Sequence, residues 1–157
     1  MDLKDIKLSI FKDLQSYESK AVGLDTVLWW IKSDQSVQQK TELFRNLAKT
    51  ITREEANKKV KNSIIPAFSV AVVFNGLGKQ TTHATRVTGL SICDIDHVEE
   101  GKMEEVRCKI WADPHTVLAY RTISGEGFRV IFCYSGVPAD ENLSAISEIS
   151  AGHHLTL

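Results

Sequence analysis

The sequence predicts an α+β sandwich, with helices packed against one sheet, and three observations predict it. Helical patterns fill much of residues 24–66, and four runs rich in Val, Ile and Phe follow Pro66. Further helical spacings separate the second run from the third and follow the fourth. An order of helices, strand, strand, helix, strand, strand, helix is that of helices laid on a sheet.

The elements follow in chain order. Ile6, Leu8 and Ile10 alternate with Lys7, Ser9 and Phe11, the period-two pattern of a first strand. LDTVLWWI, from Leu24 to Ile31, reads as a short helix, with Trp29 and Trp30 as core packing. A second helix spans Asp34 to Lys49, with Val37, Phe44 and Leu47 on one face. Thr52 and Glu55 form a capping box that opens a third, in which Lys58, Lys59 and Lys61 follow an acidic first turn until Pro66 ends helical structure. The four strand candidates are Phe68–Phe74, Val87–Ile95, Thr116–Ile123 and Phe128–Tyr134. Met103, Val106 and Ile110 lie at helical spacing between the second and third, as do Leu143, Ile146 and Ile149 after Pro138.

Composition bounds the classes. With 157 residues, 43% hydrophobic and 25% charged, the chain is one domain or part of one, and disordered and fibrous classes are excluded. No apolar run reaches the roughly 20 residues of a membrane span, and MDLKDIKLSIF is not a signal peptide, so a cytoplasmic protein is expected. Cys93, Cys108 and Cys133 show no CxxC spacing and read as reduced core residues. The net charge of −1 argues against a polyelectrolyte surface, but it is a cancellation. Lys40 to Lys61 holds seven cations against three anions, and Asp94 to Val106 holds six anions against one cation.

Two motifs carry chemistry. Asp94-Ile95-Asp96 ends an apolar strand, and residues two apart on an extended chain share a face, so the carboxylates converge. Such a pair repels unless a cation intervenes, and a hard divalent ion, Mg²⁺ or Mn²⁺, is the usual one; two solvated loop aspartates are the plainer alternative. Ser124-Gly125-Glu126-Gly127 joins the last two strands, with Arg129 just beyond. It is either a simple hairpin turn or a backbone cradle for phosphate, with Arg129 offering its fork to phosphate oxygens or pairing with an acidic cross-strand neighbour. Asn75 to Lys79 lacks the spacing of a phosphate loop and reads as a turn. His83, His97 and His115 form no metal spacing and read as surface residues, and His153 and His154 support no assignment.

At GLSICDIDHVEE and TISGEGFRVIF the chain resembles the archaeo-eukaryotic primase superfamily, whose hallmark is an hhhDhD strand followed by an SGxGxH-like strand. The match is to the Bacteroides-type branch, the BT4734-like or VirE N-terminal domain, and Lys61 to Phe68 is similar to the basic element that precedes its first sheet strand. The resemblance implies an RRM-like, mostly antiparallel sheet with an N-terminal αβ module. One domain would cover 1–157, with a helical, basic half over 1–66 and a sheet half over 67–157. It also implies metal binding and catalysis by Asp94 and Asp96, and nucleotide phosphate contacts by Ser124, Gly125, Gly127 and Arg129. Arg129 stands where many members place a His, and no acidic motif matching the superfamily's third follows Tyr134, so the C-terminal part of the domain is expected to be missing.

The expected function is a primase- or polymerase-like nucleotidyltransferase domain of a replication or mobile-element protein. It would use Mg²⁺ or Mn²⁺ and a nucleotide triphosphate, with Arg53, Lys58, Lys59 and Lys61 on a single-stranded DNA template. A helicase-like ATPase region or protein is the implied partner, and no membrane is involved. The alternatives are a non-catalytic nucleotide or nucleic-acid binding module with an incomplete metal site and, third, a metal-dependent nuclease on the same carboxylates.

Overall fold

The computed structural model describes residues 3–133. Among them the chain forms strands β1 (Lys7–Phe11) and β2 (Ser19–Gly23), helices α1 (Leu24–Ser33), α2 (Gln35–Leu47) and α3 (Arg53–Ala56), and a π-helical turn, Asn57–Lys61. Strands β3 (Ala67–Ser69), β4 (Val72–Phe74), β5 (Ala84–Val87) and β6 (Leu90–Ile95), helix α4 (Met103–Ala112), and strands β7 (Thr116–Arg121) and β8 (Phe128–Cys133) follow. The mixed α+β class is as the sequence predicts. The single sheet is not: three antiparallel sheets form, ordered β2-β1-β3, β4-β5 and β6-β8-β7.

Local chemistry accounts for most boundaries. Asp34 caps α2 by accepting from the Val37 N–H at 3.0 Å, and Thr52 and Glu55 form the reciprocal capping box that opens α3. The third helix then departs from expectation. After one α turn it widens, the Asn62 N–H donating to the Asn57 carbonyl at 2.8 Å, so the three lysines sit on or beside a π turn. The run Phe68–Phe74 is likewise not one strand. It breaks at Val70–Ala71, and β3 pairs with β1 while β4 pairs with β5. The N-terminal half is helical only in part, since β1 and β2 form a hairpin within it.

The β6-α4-β7-β8 unit, with β8 between β6 and β7, carries packing on both faces. Ile110 of α4 packs with Phe128 and Val130 on one face. On the other, Leu90, Leu118 and Ile131 join Ile6, Leu8, Leu24 and Val27 of the N-terminal module in one core. Leu8, Leu24, Val27 and Ile131 are fully buried, each side chain contributing about 1.5–3 kcal/mol by leaving water. A second cluster, Phe44, Ala56 and Val60, receives Ile123 from the β7–β8 turn. Buried Ser9 ties the small sheets together by accepting from the Phe74 N–H at 2.8 Å.

Two expectations about single residues are corrected. Cys93 of β6, Cys108 of α4 and Cys133 of β8 are free but exposed, not in the core. Trp29 is 54% exposed, since Val27 and Leu24 supply the buried face of α1. The expected helix beyond Pro138 lies outside the described residues. Among those described, no helix is long and apolar enough to cross a membrane.

Candidate functional site

Alternation along β6 sets the site. Ile95 packs into the α4 cluster, so Asp94 projects from the opposite face, in line with Ile92 and Leu90, at the end where the apolar core gives out. Asp96 stands two residues on, one past the end of the strand. Across the sheet the register places Asp94 opposite Arg129, and Arg129 opposite Tyr120. The three form a row over β6, β8 and β7.

Within this row the contacts are charge-assisted. Arg129 donates from Nε to Asp94 Oδ1 at 2.6 Å and from Nη2 to Oδ2 at 2.7 Å, a bidentate fork. Hydrogen bonding by Arg129, helped by its charge and that of Lys61, holds the Asp94 carboxyl below the usual carboxylate range against a desolvation that works the other way. Arg129 is raised above its ordinary value, chiefly by the Asp94 hydrogen bonds. Burial pushes the Tyr120 hydroxyl, beside Arg129, up to about 12. Arg129 and Asp94 remain 33% and 36% exposed, within reach of a ligand.

The Ser124–Gly127 turn closes this end of the sheet. The Thr122 N–H donates to the Gly127 carbonyl at 2.9 Å and the Gly125 N–H to the Thr122 carbonyl at 2.9 Å, with Gly125 at φ +80°. Gly127 lies so close to the end of β6 that an added Cβ would stand 2.1 Å from the Ile95 carbonyl oxygen. The Val98 N–H donates to the Glu126 carbonyl at 2.8 Å, which stitches the segment after Asp96 to the turn. His97, at φ 55°, takes the left-handed conformation that swings the chain round at this point.

The helical module grips the same turn. Arg45 of α2 donates from Nε to the Ile123 carbonyl at 2.9 Å, and Arg53 pairs with Glu126 at 3.0 Å. Arg121 donates to the Gly125 carbonyl at 2.8 Å. Of the expected phosphate cradle, the Gly125 N–H is thus spent inside the turn, and Ser124 Oγ accepts from the Glu126 N–H at 3.4 Å and meets Thr122 Oγ1. The expected nucleic-acid contacts Arg53, Lys58, Lys59 and Lys61 are all exposed, with Arg53 pairing with Glu126 at 3.0 Å and Lys58 with Glu54 at 2.8 Å.

Asp94 and Asp96 are hard oxygen donors, and one or two carboxylates, completed by water and phosphate oxygens, are what a Mg²⁺ site on a nucleotide uses. Each Asp94 oxygen, having accepted one hydrogen bond, keeps a lone pair, so the pair fits such an ion, with Arg129 as its competitor. No group of three His, Cys, Asp or Glu residues able to hold a metal occurs among the described residues. Grooves of about 340 and 210 Å³ flank β7 and include Tyr120, yet they are mostly apolar and reach neither Asp94 nor Arg129. Arg129 and Asp94 lie outside both, 33% and 36% exposed.

The family model for the BT4734-like N-terminal domain matches residues 59–156. The chain belongs to that family. The match begins at the π turn and takes in the whole βαββ unit with Asp94, Asp96, the Ser124–Gly127 turn and Arg129, so the BT4734-like segment contains every element of the row. No curated protein and no solved structure matches the chain.

Sequence reasoning missed Tyr120, Arg45 and Ile123. Tyr120 was open to detection, because a hairpin closed over 122–127 sets Arg121 against Phe128 and hence Tyr120 against Arg129. Arg45 and Ile123 act through contacts between distant segments, for which no local pattern exists.

Proposed function

We propose that this BT4734-like domain is a primase- or polymerase-like nucleotidyltransferase domain of the archaeo-eukaryotic primase superfamily, acting on a nucleic-acid template in replication or in a mobile element. The observation that carries the reading is the row itself: Asp94 and the Arg129 fork, in register on neighbouring strands, with Asp96 just past the strand end, beside a glycine turn clamped by a basic module. Anionic and cationic groups side by side suit a ligand that brings both metal and phosphate.

Asp94 and Asp96 would hold Mg²⁺ or Mn²⁺, which when bound supplies Lewis acidity toward the attacking hydroxyl and the leaving pyrophosphate. Arg129 would orient the triphosphate through its fork and offset the charge that grows as pyrophosphate leaves. The turn, with Ser124, Gly125 and Gly127, would shape the wall of the phosphate site rather than supply all its donors. Lys59 and Lys61 would track the single-stranded template. In the reaction a hydroxyl oxygen bonds to the α-phosphorus, the bond to pyrophosphate breaks and the hydroxyl proton passes to water. A cytoplasmic setting, with a helicase-like ATPase region or protein as partner, accords with three free thiols.

The alternative, a binding module without catalysis, draws its support from the occupation of both Asp94 oxygens by Arg129. Template-dependent incorporation of labelled nucleotide with Mn²⁺ separates the two. Incorporation abolished by Asp94→Ala and by Asp96→Ala supports the transferase. No incorporation by the intact chain, with oligonucleotide binding unchanged in both variants, leaves the module.

A further inference from the structure

We propose that the Asp94–Arg129 pair is a latch that makes metal binding and phosphate binding at this site mutually dependent. The inference rests on the reading of Asp94 and Asp96 as metal ligands and Arg129 as a phosphate ligand, and adds how the two loads are coordinated.

Both groups are engaged with each other in the free chain: both Asp94 oxygens accept from Arg129, and two of its donors are directed at Asp94. A cation approaching Asp94 therefore meets a guanidinium already seated on it, with Lys61 adding positive charge nearby. A phosphate approaching Arg129 meets a carboxylate in the place it would take. Either ligand alone, seated on the lone pairs or donors the fork leaves free, sets a like charge against the fork and opens it only by leaving the released partner without its counter-charge. A ligand pair breaks it once and satisfies both ends, because phosphate oxygens match the Arg fork as the carboxylate does.

The other guanidinia around the turn cannot substitute for Arg129. Arg45 and Arg121 are spent on turn carbonyls, and Arg53 on Glu126. On its far side Arg129 stands opposite Tyr120 of β7. Arg129 and Asp94 are 33% and 36% exposed, so a ligand can reach either member of the pair.

The latch predicts reciprocal gains on single ligands, because a coupling between two sites acts equally in both directions. Arg129→Gln, with no nucleotide present, should bind Mn²⁺ about tenfold more tightly than the wild type, read by the loss of the free-ion spin-resonance signal; coupling between sites commonly spans about 5–150-fold. Asp94→Asn should bind inorganic triphosphate, in chelator and without metal, about tenfold more tightly, read by calorimetry. Far-ultraviolet dichroism checks that each variant folds, and the Asp94→Asn arm decides should Arg129→Gln fail to fold. Affinities equal to or weaker than the wild type in a folded variant overturn the latch. The underlying reading fails separately: it is lost where adding Asp96→Asn to Arg129→Gln leaves Mn²⁺ binding unaltered, or where Arg129→Gln does not weaken triphosphate binding.

Discussion

Gly127→Ala tests how the turn and the carboxylate strand are joined. The new Cβ would stand 2.1 Å from the Ile95 carbonyl oxygen, 3.1 Å from its carbon and 3.2 Å from Asp96 Cα, whereas ordinary van der Waals contact lies at 3.4–4 Å. All three are backbone atoms, so no side chain can swing aside. The turn must lift from the end of β6, which stretches the 2.8 Å bond from the Val98 N–H to the Glu126 carbonyl beyond hydrogen-bonding range. That bond is worth about 1 kcal/mol, and residual overpacking adds about 1–3, so a loss of about 2–4 kcal/mol is expected. Urea unfolding followed by dichroism measures it as a fall in midpoint at constant slope. Gly101→Ala, whose Cβ would meet nothing within 4 Å, is the control and should change stability by about 0.5 kcal/mol or less. A Gly127→Ala variant within that margin of the wild type would refute the close approach.

Two further outcomes follow from the charges and the row. Lys59 and Lys61 are exposed, and replacing both with Ala should flatten the salt dependence of single-stranded DNA binding by about 0.7 logarithmic units per lost phosphate contact; an unchanged slope takes the π turn off the binding surface. Tyr120, pushed up to about 12 by burial, keeps its proton in the folded chain from about pH 10 to 12, while the unfolded chain loses its own near the ordinary tyrosine value of about 10. Its contribution to stability is therefore complete below about pH 10 and declines as pH rises to about 12. Tyrosinate absorbance should show a late-titrating group that Tyr120→Phe removes; a Tyr120 that titrates near the ordinary tyrosine value refutes its burial.

What the sequence disclosed was what local pattern can carry. Helix α1, the capped starts of α2 and α3, helix α4 and strands β6, β7 and β8 all rest on periodicity or on a cap within a few residues, and each is legible. The division of Phe68–Phe74 was not, because a continuous apolar run looks the same whether it serves one sheet or two. What breaks it is pairing with β1 on one side and β5 on the other, and β5, ATRV, has too little apolar character to announce itself. At the site, the DxD spacing and the glycine turn were legible as motifs, and pairing with an acidic cross-strand neighbour was one of the two roles open to Arg129. The neighbour's identity was hidden, since it depends on β8 entering the sheet between β6 and β7.

The same insertion changes the meaning of the near-zero net charge. Read along the chain, the basic stretch from Lys40 to Lys61 and the acidic one from Asp94 to Val106 are two separated poles. In the fold parts of them meet. Ile123 enters the cluster around Phe44 and Val60, Arg45 and Arg53 close on the turn, and Lys61 acts on Asp94 from the helical side. Opposite charges brought this close spend much of their field on one another, so the site exerts little long-range attraction for either a cation or an anion alone. On the proposed reading a ligand would gain most here by carrying both signs, as a metal-bound triphosphate does, because it could replace each internal pair with a pair of its own. On the proposed reading, discrimination against bare phosphate and bare metal would then be a property of the pairing itself, exerted at Asp94–Arg129.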